Sequence, residues 1–463
     1  MRSHMRTLST LAAALLLAGC SMIPAYERPA APVAGSFPYP SAQDGTPAAQ
    51  LPWQDFFPDA RLRSLIDTAL AGNRDLRVAV LNVAQARAQY DIRNADRLPT
   101  VGVSASASRS PSAITGDQVN SYSVSLGLSS WEIDFFGRVA ALSESALSQY
   151  LATEEGRKAA QVTIVASVAN AWLALVADEE LLALTRETLG TREETLRLTR
   201  LRFENGVTSE IDFRLAQSLA ESSRAALAQT QRQRANDLNA LALLIGQPVP
   251  PDFLVGLTTR DVKLPDVPAG VPSEVLVRRP DVRQAERQLL AANANIGAAR
   301  AAFFPRISLT AGIGTASSEL SGLFQSGAWG YTVAPSLLQP IFDAGRNRAN
   351  LASAEVSRDI AVAQYERSIQ QAFRDVADAL AGRATYGEQL RALGAVADAE
   401  AARFRLARLR YESGVASYLD LLDAQRALFT AQTALVQSRL ASLQNQVALY
   451  RSLGGGWTEP VAQ

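Results

Sequence analysis

Histidine and cysteine are almost missing from this 463-residue chain, whose only imidazole is His4 and only thiol Cys20. A mature chain beginning at Cys20 has no histidine, which excludes His-based triads, Cys/His metal sites and internal disulfides. Net charge is missing too. Lys plus Arg and Asp plus Glu both number 45, and without Arg2 and Arg6 the balance is 43 against 45. Such a chain offers nucleic acid no basic footprint. Neither a P-loop nor a GxGxxG between strand and helix occurs, so no nucleotide site is expected. No stretch beyond the N-terminus approaches the ~20 apolar residues of a transmembrane helix. The expectation is no catalytic residue, no metal site and no cofactor. What is present is apolar content of 48%, enough for a large core or two domains.

Arg2 and Arg6 precede an apolar run from Leu11 to Ala18, which ends in Leu17-Ala18-Gly19-Cys20. Residues 1–19 read as a secretory signal, too short to span a bilayer. Leu-Ala-Gly-Cys resembles the bacterial lipobox. That resemblance implies a diacylglycerol on Cys20 and an acylated amine, and two or more chains anchor firmly in lipid. Ser21 stands where an Asp would resemble an inner-membrane retention signal, which points to the outer membrane. An ordinary leader with a chance cysteine is the alternative.

Proline placement divides the rest. Prolines cluster from Pro24 to Pro52 and from Pro248 to Pro272, and none occurs between Pro111 and Pro248 or between Pro340 and Pro460. Because an interior proline costs a helix about 3 kcal/mol, the two clean tracts are where long helices can run. The tracts match each other. Arg202-Phe-Glu-Asn-Gly-Val-Thr-Ser-Glu-Ile-Asp212 answers Arg410-Tyr-Glu-Ser-Gly-Val-Ala-Ser-Tyr-Leu-Asp420, and Gly137-Arg138 answers Gly345-Arg346. Asn73 to Leu76 answers Arg279 to Val282, and Leu98-Pro99 answers Phe304-Pro305. This order implies an internal duplication, too long in period for a solenoid. The expected domains are a Pro-rich, lipid-anchored segment at 20–52, a first repeat at 53–247, a linker at 248–271, a second repeat at 272–457 and a tail at 458–463.

Each repeat reads alike. A helix rich in Ala and Leu (about 59–97, and 272–303) leads to a strand pair. Val101, Val103, Ala105 and Ala107 alternate with Gly102, Ser104, Ser106 and Ser108, and Tyr122, Val124, Leu126 and Leu128 repeat the pattern. Ile307, Leu309, Ala311, Ile313, Tyr331, Val333 and Leu337 do so in the second copy. Strands of about ten residues, apolar on one side and small-polar on the other, suit a transmembrane barrel; a soluble hairpin with one buried face shares the pattern. Four strands cannot close a membrane barrel, since single-chain bacterial barrels begin at eight, so the chain is expected to oligomerise. A long helix follows, with Val165, Val168, Ala169, Trp172, Leu173 and Val176 on one face. Running from about Arg138 to Glu204, it would extend on the order of 100 Å, reverse at Asn205-Gly206 and return to about Leu244. The second copy turns at Ser413-Gly414. Gly206 and Gly414 supply the left-handed residue of a helix end. Ser209 and Ser417 are placed to cap the next helix, with Asp212 and Asp420 three residues on.

Cys20, the duplicated order, Arg278-Arg-Pro-Asp281, the paired Gly-Val turns, Leu419-Asp-Leu-Leu-Asp423-Ala-Gln and Leu453-Gly-Gly-Gly-Trp457 together resemble the TolC superfamily of outer-membrane efflux ducts, nearest its lipoprotein branch typified by OprM. The resemblance spans nearly all of 20–457. It implies an α+β membrane protein: a homotrimer forming a 12-stranded β-barrel, four strands per chain, continued by a long α-helical barrel. Its implied partners are a periplasmic adaptor (membrane fusion) protein, an inner-membrane pump, expected to be proton-driven, and outer-membrane lipid. It places a gate at Leu419, Asp420, Asp423 and Tyr411, where threefold symmetry would set six carboxylates around the axis. Capping by Asp420 and solvation of Asp423 is the alternative. The arginine of the family's gate latch falls at Ala416, so its partner for Tyr411 is expected elsewhere. Asn205, Gly206, Val207, Thr208 and Ser209, with Ser413, Gly414, Val415, Ala416 and Ser417, would meet the adaptor. The expected role is a passive conduit for drugs and toxic compounds, located in the outer membrane and reaching into the periplasm. A duct for type I protein secretion and a periplasmic coiled-coil scaffold lipoprotein are the rivals.

Overall fold

The computed structural model describes residues 21–40, 46–111, 116–254, 256, 258–270 and 276–457. Cys20, the signal segment 1–19 and the tail 458–463 lie outside them. The chain divides into two compact units.

The first unit (1–30, 81–154 and 284–367) holds one antiparallel sheet in the order β1-β2-β3-β4. Its strands are β1 (Val101–Pro111), β2 (Gln118–Glu132), β3 (Arg306–Ser317) and β4 (Trp329–Leu338). The register carries the alternation across all four strands. Val103 faces Leu126, which faces Ile313, which faces Tyr331. The neighbouring rows are Val101, Leu128, Ala311, Val333 and Ala105, Val124, Thr315, Trp329. The intervening rows are small or polar, such as Ser104, Ser125, Gly314 and Gly330, and Ser104 and Ser106 meet Ser125 and Ser123 at 2.8 and 2.7 Å. These rows are mostly apolar and open, with Val103 73% and Tyr331 83% exposed, and Thr315 is the buried polar exception among the residues named. β2 and β3 approach so closely that a Cβ on Gly127 would lie 2.4 Å from the Ala311 carbonyl oxygen. Among the described residues β1 and β4 each have one neighbour, and Pro335 sits in β4, an edge strand where a missing N–H is tolerated.

Among the described residues, seven helices of more than ten residues carry the rest: α1 (Ala60–Gly72), α2 (Arg74–Ala95), α3 (Arg138–Glu204), α4 (Glu210–Ile245), α5 (Pro280–Ala301), α6 (Arg346–Glu412) and α7 (Tyr418–Ser452). α3 and α6 are both 67 residues long. Each starts after a left-handed glycine, Gly137 or Gly345. A carboxylate caps each start: Asp134 accepts from the Ala140 N–H at 2.7 Å and Asp343 from the Asn347 N–H at 2.9 Å. In this unit the segment after Cys20 lies on α5. The Pro24 carbonyl accepts from Asn293 at 2.9 Å, Arg28 pairs with Glu286 at 2.7 Å, and Ile23 occupies the space a side chain at Gly297 would need.

The second unit (31–80, 155–283 and 368–463) contains the main core. Val165, Val168, Ala169, Trp172, Leu173 and Val176 of α3 are all buried there with Phe56, Phe57, Leu62, Ile66, Leu241, Val376, Val447 and Tyr450. Burying six such side chains contributes on the order of 10 kcal/mol. Tyr450 stacks on Phe56 at 3.9 Å, and its hydroxyl donates to the Leu51 carbonyl and accepts from the Gly456 N–H. Arg279, of the Arg-Arg-Pro-Asp motif, pairs with Asp281 at 2.6 Å and Asp375 at 3.3 Å and donates to the Ser452 carbonyl.

Three expectations are corrected. The helix expected over 59–97 is two helices, because Asn73 adopts extended backbone, caps α2 by accepting from the Leu76 N–H and donates to the Leu244 carbonyl. Of the helix expected over 272–303, residues 277–279 are not helical and α5 starts at Pro280, the favoured first-turn place for proline, while 272–275 lie outside the described residues. α3 does contain a stretch long and apolar enough to cross a membrane by length and composition, and 56% of it is buried in the protein.

Candidate functional site

The two helix turns lie in the second unit and are built the same way. α3 ends with the Val207 N–H reaching back to the Arg202 carbonyl at 2.8 Å, and α6 with the Val415 N–H reaching back to the Arg410 carbonyl at 2.9 Å. These closures need a left-handed residue, supplied by Gly206 (φ 70°) and Gly414 (φ 72°). Ser209 then caps α4 and Ser417 caps α7. Val207 and Val415 project as exposed apolar tips, 74% and 69% exposed, between Asn205, Thr208 and Ser209 on one side and Ser413, Ala416 and Ser417 on the other.

Asp420 and Asp212 are capping groups. The Asp420 carboxylate accepts from the Ser417 N–H at 3.2 Å and the Ser417 hydroxyl at 2.8 Å, while the Ser417 oxygen accepts from the Asp420 N–H, a complete capping box. These bonds, the hydroxyl first, hold its pKa below the ordinary aspartate value. Asp212 accepts from Ser209 at 2.7 Å and Thr208 at 3.0 Å, with the same lowering. Asp423 is paired: Arg403 of α6 donates to it while also holding Glu400 at 3.1 Å. Its counterpart in the first turn is Leu215. Leu419 is 64% exposed, one residue before the capping aspartate.

Tyr411 finds its partner in the other turn. Arg202 of α3 donates to the Tyr411 hydroxyl at 2.6 Å, and its guanidinium lies 5.3 Å from the centre of the Tyr411 ring. Tyr411 also packs with Tyr418 at 5.5 Å over a small core of Ala216, Leu421 and Leu422. Arg202 is thus the basic partner of Tyr411, as Arg403 is of Asp423, and the local pattern does not reveal Arg403. The only signal for Arg202 was its place as first residue of the repeated turn motif. Among the described residues no group of three or more His, Cys, Asp or Glu side chains is arranged to hold a metal ion.

The outer membrane efflux protein family model matches residues 65–247 and again 271–455. The chain is 46% identical over 467 residues to the toluene efflux pump outer membrane protein TtgC of Pseudomonas putida, covering 98% of this chain and 96% of that one. It is 45% identical to the outer membrane protein OprJ of Pseudomonas aeruginosa, covering 99% and 98%. The open state of the Neisseria gonorrhoeae MtrE outer membrane channel superposes with a TM-score of 0.87 at 43% identity, covering 94% and 98%. The chain belongs to the outer membrane efflux protein family, in the TolC superfamily.

Proposed function

We propose that the chain is the outer-membrane channel of a tripartite efflux system, a passive conduit through which an adaptor and an inner-membrane pump expel small molecules. The observation that carries this reading is the four-stranded sheet, apolar on one open face, small and polar on the other, and unpaired at both edges. Lipid on the apolar face and water on the other would satisfy its side chains, but open edges in hydrocarbon leave N–H and C=O groups unsatisfied. Three copies joined edge to edge remove every edge and give twelve strands. α3, α4, α6 and α7 then continue the wall as a helical barrel. The two 67-residue helices and the double family match support reading 53–247 and 272–457 as equivalent copies. Cys20 anchors the chain in lipid, and the segment fixed to α5 supports a tether there. TtgC is named for toluene, in keeping with small apolar cargo.

Opening is a movement of helices at the turns. In each copy Arg202–Tyr411 and Arg403–Asp423 join helix ends that must part, Leu419 narrows the path, and Asp423 carries the charge that faces it. Asp420 serves first as a cap, so one carboxylate per chain, not two, is available to the constriction. The apolar tips Val207 and Val415 offer the adaptor its docking points. Driving force comes from the pump. The test is purified full-length protein. A heat-modifiable trimer forming pores in planar bilayers is expected; a monomer without pores overturns the reading in favour of a periplasmic scaffold. Recovery of an ATP-driven transporter as the co-purifying partner would redirect it to protein secretion.

A further inference from the structure

We propose that a cavity in the second unit, bounded by α3, α4 and α7, is a binding site for a small tetrahedral oxyanion of the phosphate class, held between Arg192 and Arg426. The cavity measures about 210 Å³, several times the ~30 Å³ of one water in the liquid. Arg192, Arg426, Thr185, Thr188, Ser222 and Thr430 contribute its polar lining, and no Asp or Glu is among the lining residues.

Arg192 is 8% exposed. Its Nη1 donates to the Ser223 hydroxyl at 2.7 Å and weakly to the Leu219 carbonyl at 3.4 Å, whereas its Nε has no acceptor. Burial, then repulsion from Arg426, holds its pKa below the ordinary arginine value, with Tyr418 acting weakly the other way. Arginine nevertheless stays cationic in proteins. A guanidinium taken out of water without a counter-charge is unfavourable, and a second one nearby makes it more so. The contrast with Arg279 is direct: it is equally buried but holds Asp281 and Asp375. Arg192 and Arg426 have one shared remedy, an anion between them.

An oxyanion fits the donors better than a halide. The free Nε and the remaining guanidinium N–H groups of Arg192 form a planar fork suited to two oxygens at once. Arg426 can take a third oxygen. Thr185 and Thr430 spend their protons on the Leu181 and Arg426 carbonyls, leaving Thr188 and Ser222 as hydroxyl donors. Arg426 follows Asp423 by three residues, so an occupied site ties that stretch of α7 to α3 and α4. The site does not depend on Asp423 acting as a gate.

Equilibrium dialysis of the full-length protein, as purified in detergent, against radiolabelled inorganic phosphate at ionic strength fixed with chloride tests this. Saturable uptake of one phosphate per chain, displaced by sulfate, is expected, with affinity at least tenfold lower in Arg426→Gln and no uptake in Arg192→Gln. Arg426 is at the surface, so its variant carries the test even if Arg192→Gln does not assemble. Absence of saturable uptake, the result if a neighbouring copy's carboxylate fills the cavity, overturns the proposal. So does unchanged affinity in Arg426→Gln.

Discussion

Tyr411 accepts from Arg202 while the same guanidinium lies against its ring, so two attractions oppose any motion parting α3 from α6 at the turns. Tyr411→Phe keeps the ring and removes the acceptor, and Asp423→Ala releases Arg403. Both should raise single-channel conductance severalfold, Asp423→Ala the more because it also clears a charge from the path. Conductance equal to that of the unaltered channel in both variants would remove these residues from the gate. Leu419 and Asp423 entered only through the family resemblance, whereas the capping role of Asp420 was legible in the sequence because a cap is local. Arg202 and Arg403 were not, since 209 residues separate Arg202 from Tyr411 and the contact exists only once both turns have folded. Elsewhere on α3, buried Asp178 stands beside Asp237 of α4, with Glu179 and Arg234 nearby. Burial first and Asp237 second push its pKa up to about 7. The unfolded chain releases this proton near the ordinary value of 3.8 while the folded one keeps it, so stability falls as pH rises from about 4 to about 7. Asp178→Asn should remove that decline. Its thermal midpoint should exceed the parent's by a few degrees at pH 8 and converge with it at pH 4, and parallel melting curves would refute the assignment.

Gly127 and Gly314 are the close-approach points between β2 and β3, and side chains there would meet backbone at 2.4 Å. Gly127→Val should therefore separate the strands joining the two halves of the sheet. Overpacking typically costs about 1–3 kcal/mol, and the band of the proposed trimer on unheated gels should weaken accordingly. Gly102→Ala, in open space, should leave the band intact. The strands were readable in advance because period-two alternation survives intact on an open sheet. α3 was readable to its last residue, since a left-handed glycine bounds each end. The break at Asn73 was passed over: Gly72-Asn73 is a local stop-and-cap pair, with Asn73 accepting from the Leu76 N–H, and its bond to the Leu244 carbonyl 171 residues away fixes it in place.

At the scale of the molecule, the near-absence of histidine, cysteine and net charge left few functions to consider, and the repeated turns supplied the architecture. The order of chain elements could be read from pattern, whereas the arithmetic of closure required only that the chain oligomerise, and the number three came from the family resemblance. That arithmetic also governs how the protein enters its membrane. β1 and β4 each present an unpaired edge, and backbone groups at an edge cost several kcal/mol apiece in hydrocarbon. A solitary chain is thus barred from the bilayer by its own backbone, and the acyl anchor proposed at Cys20 would only hold it at the surface until neighbours arrive. Insertion becomes a collective event whose rate should climb steeply with the surface density of anchored chains. Diluting the protein among liposomes should slow pore appearance far more than in proportion, and a strictly proportional slowing would mean that single chains enter alone. The open sheet makes the membrane itself the checkpoint for assembly.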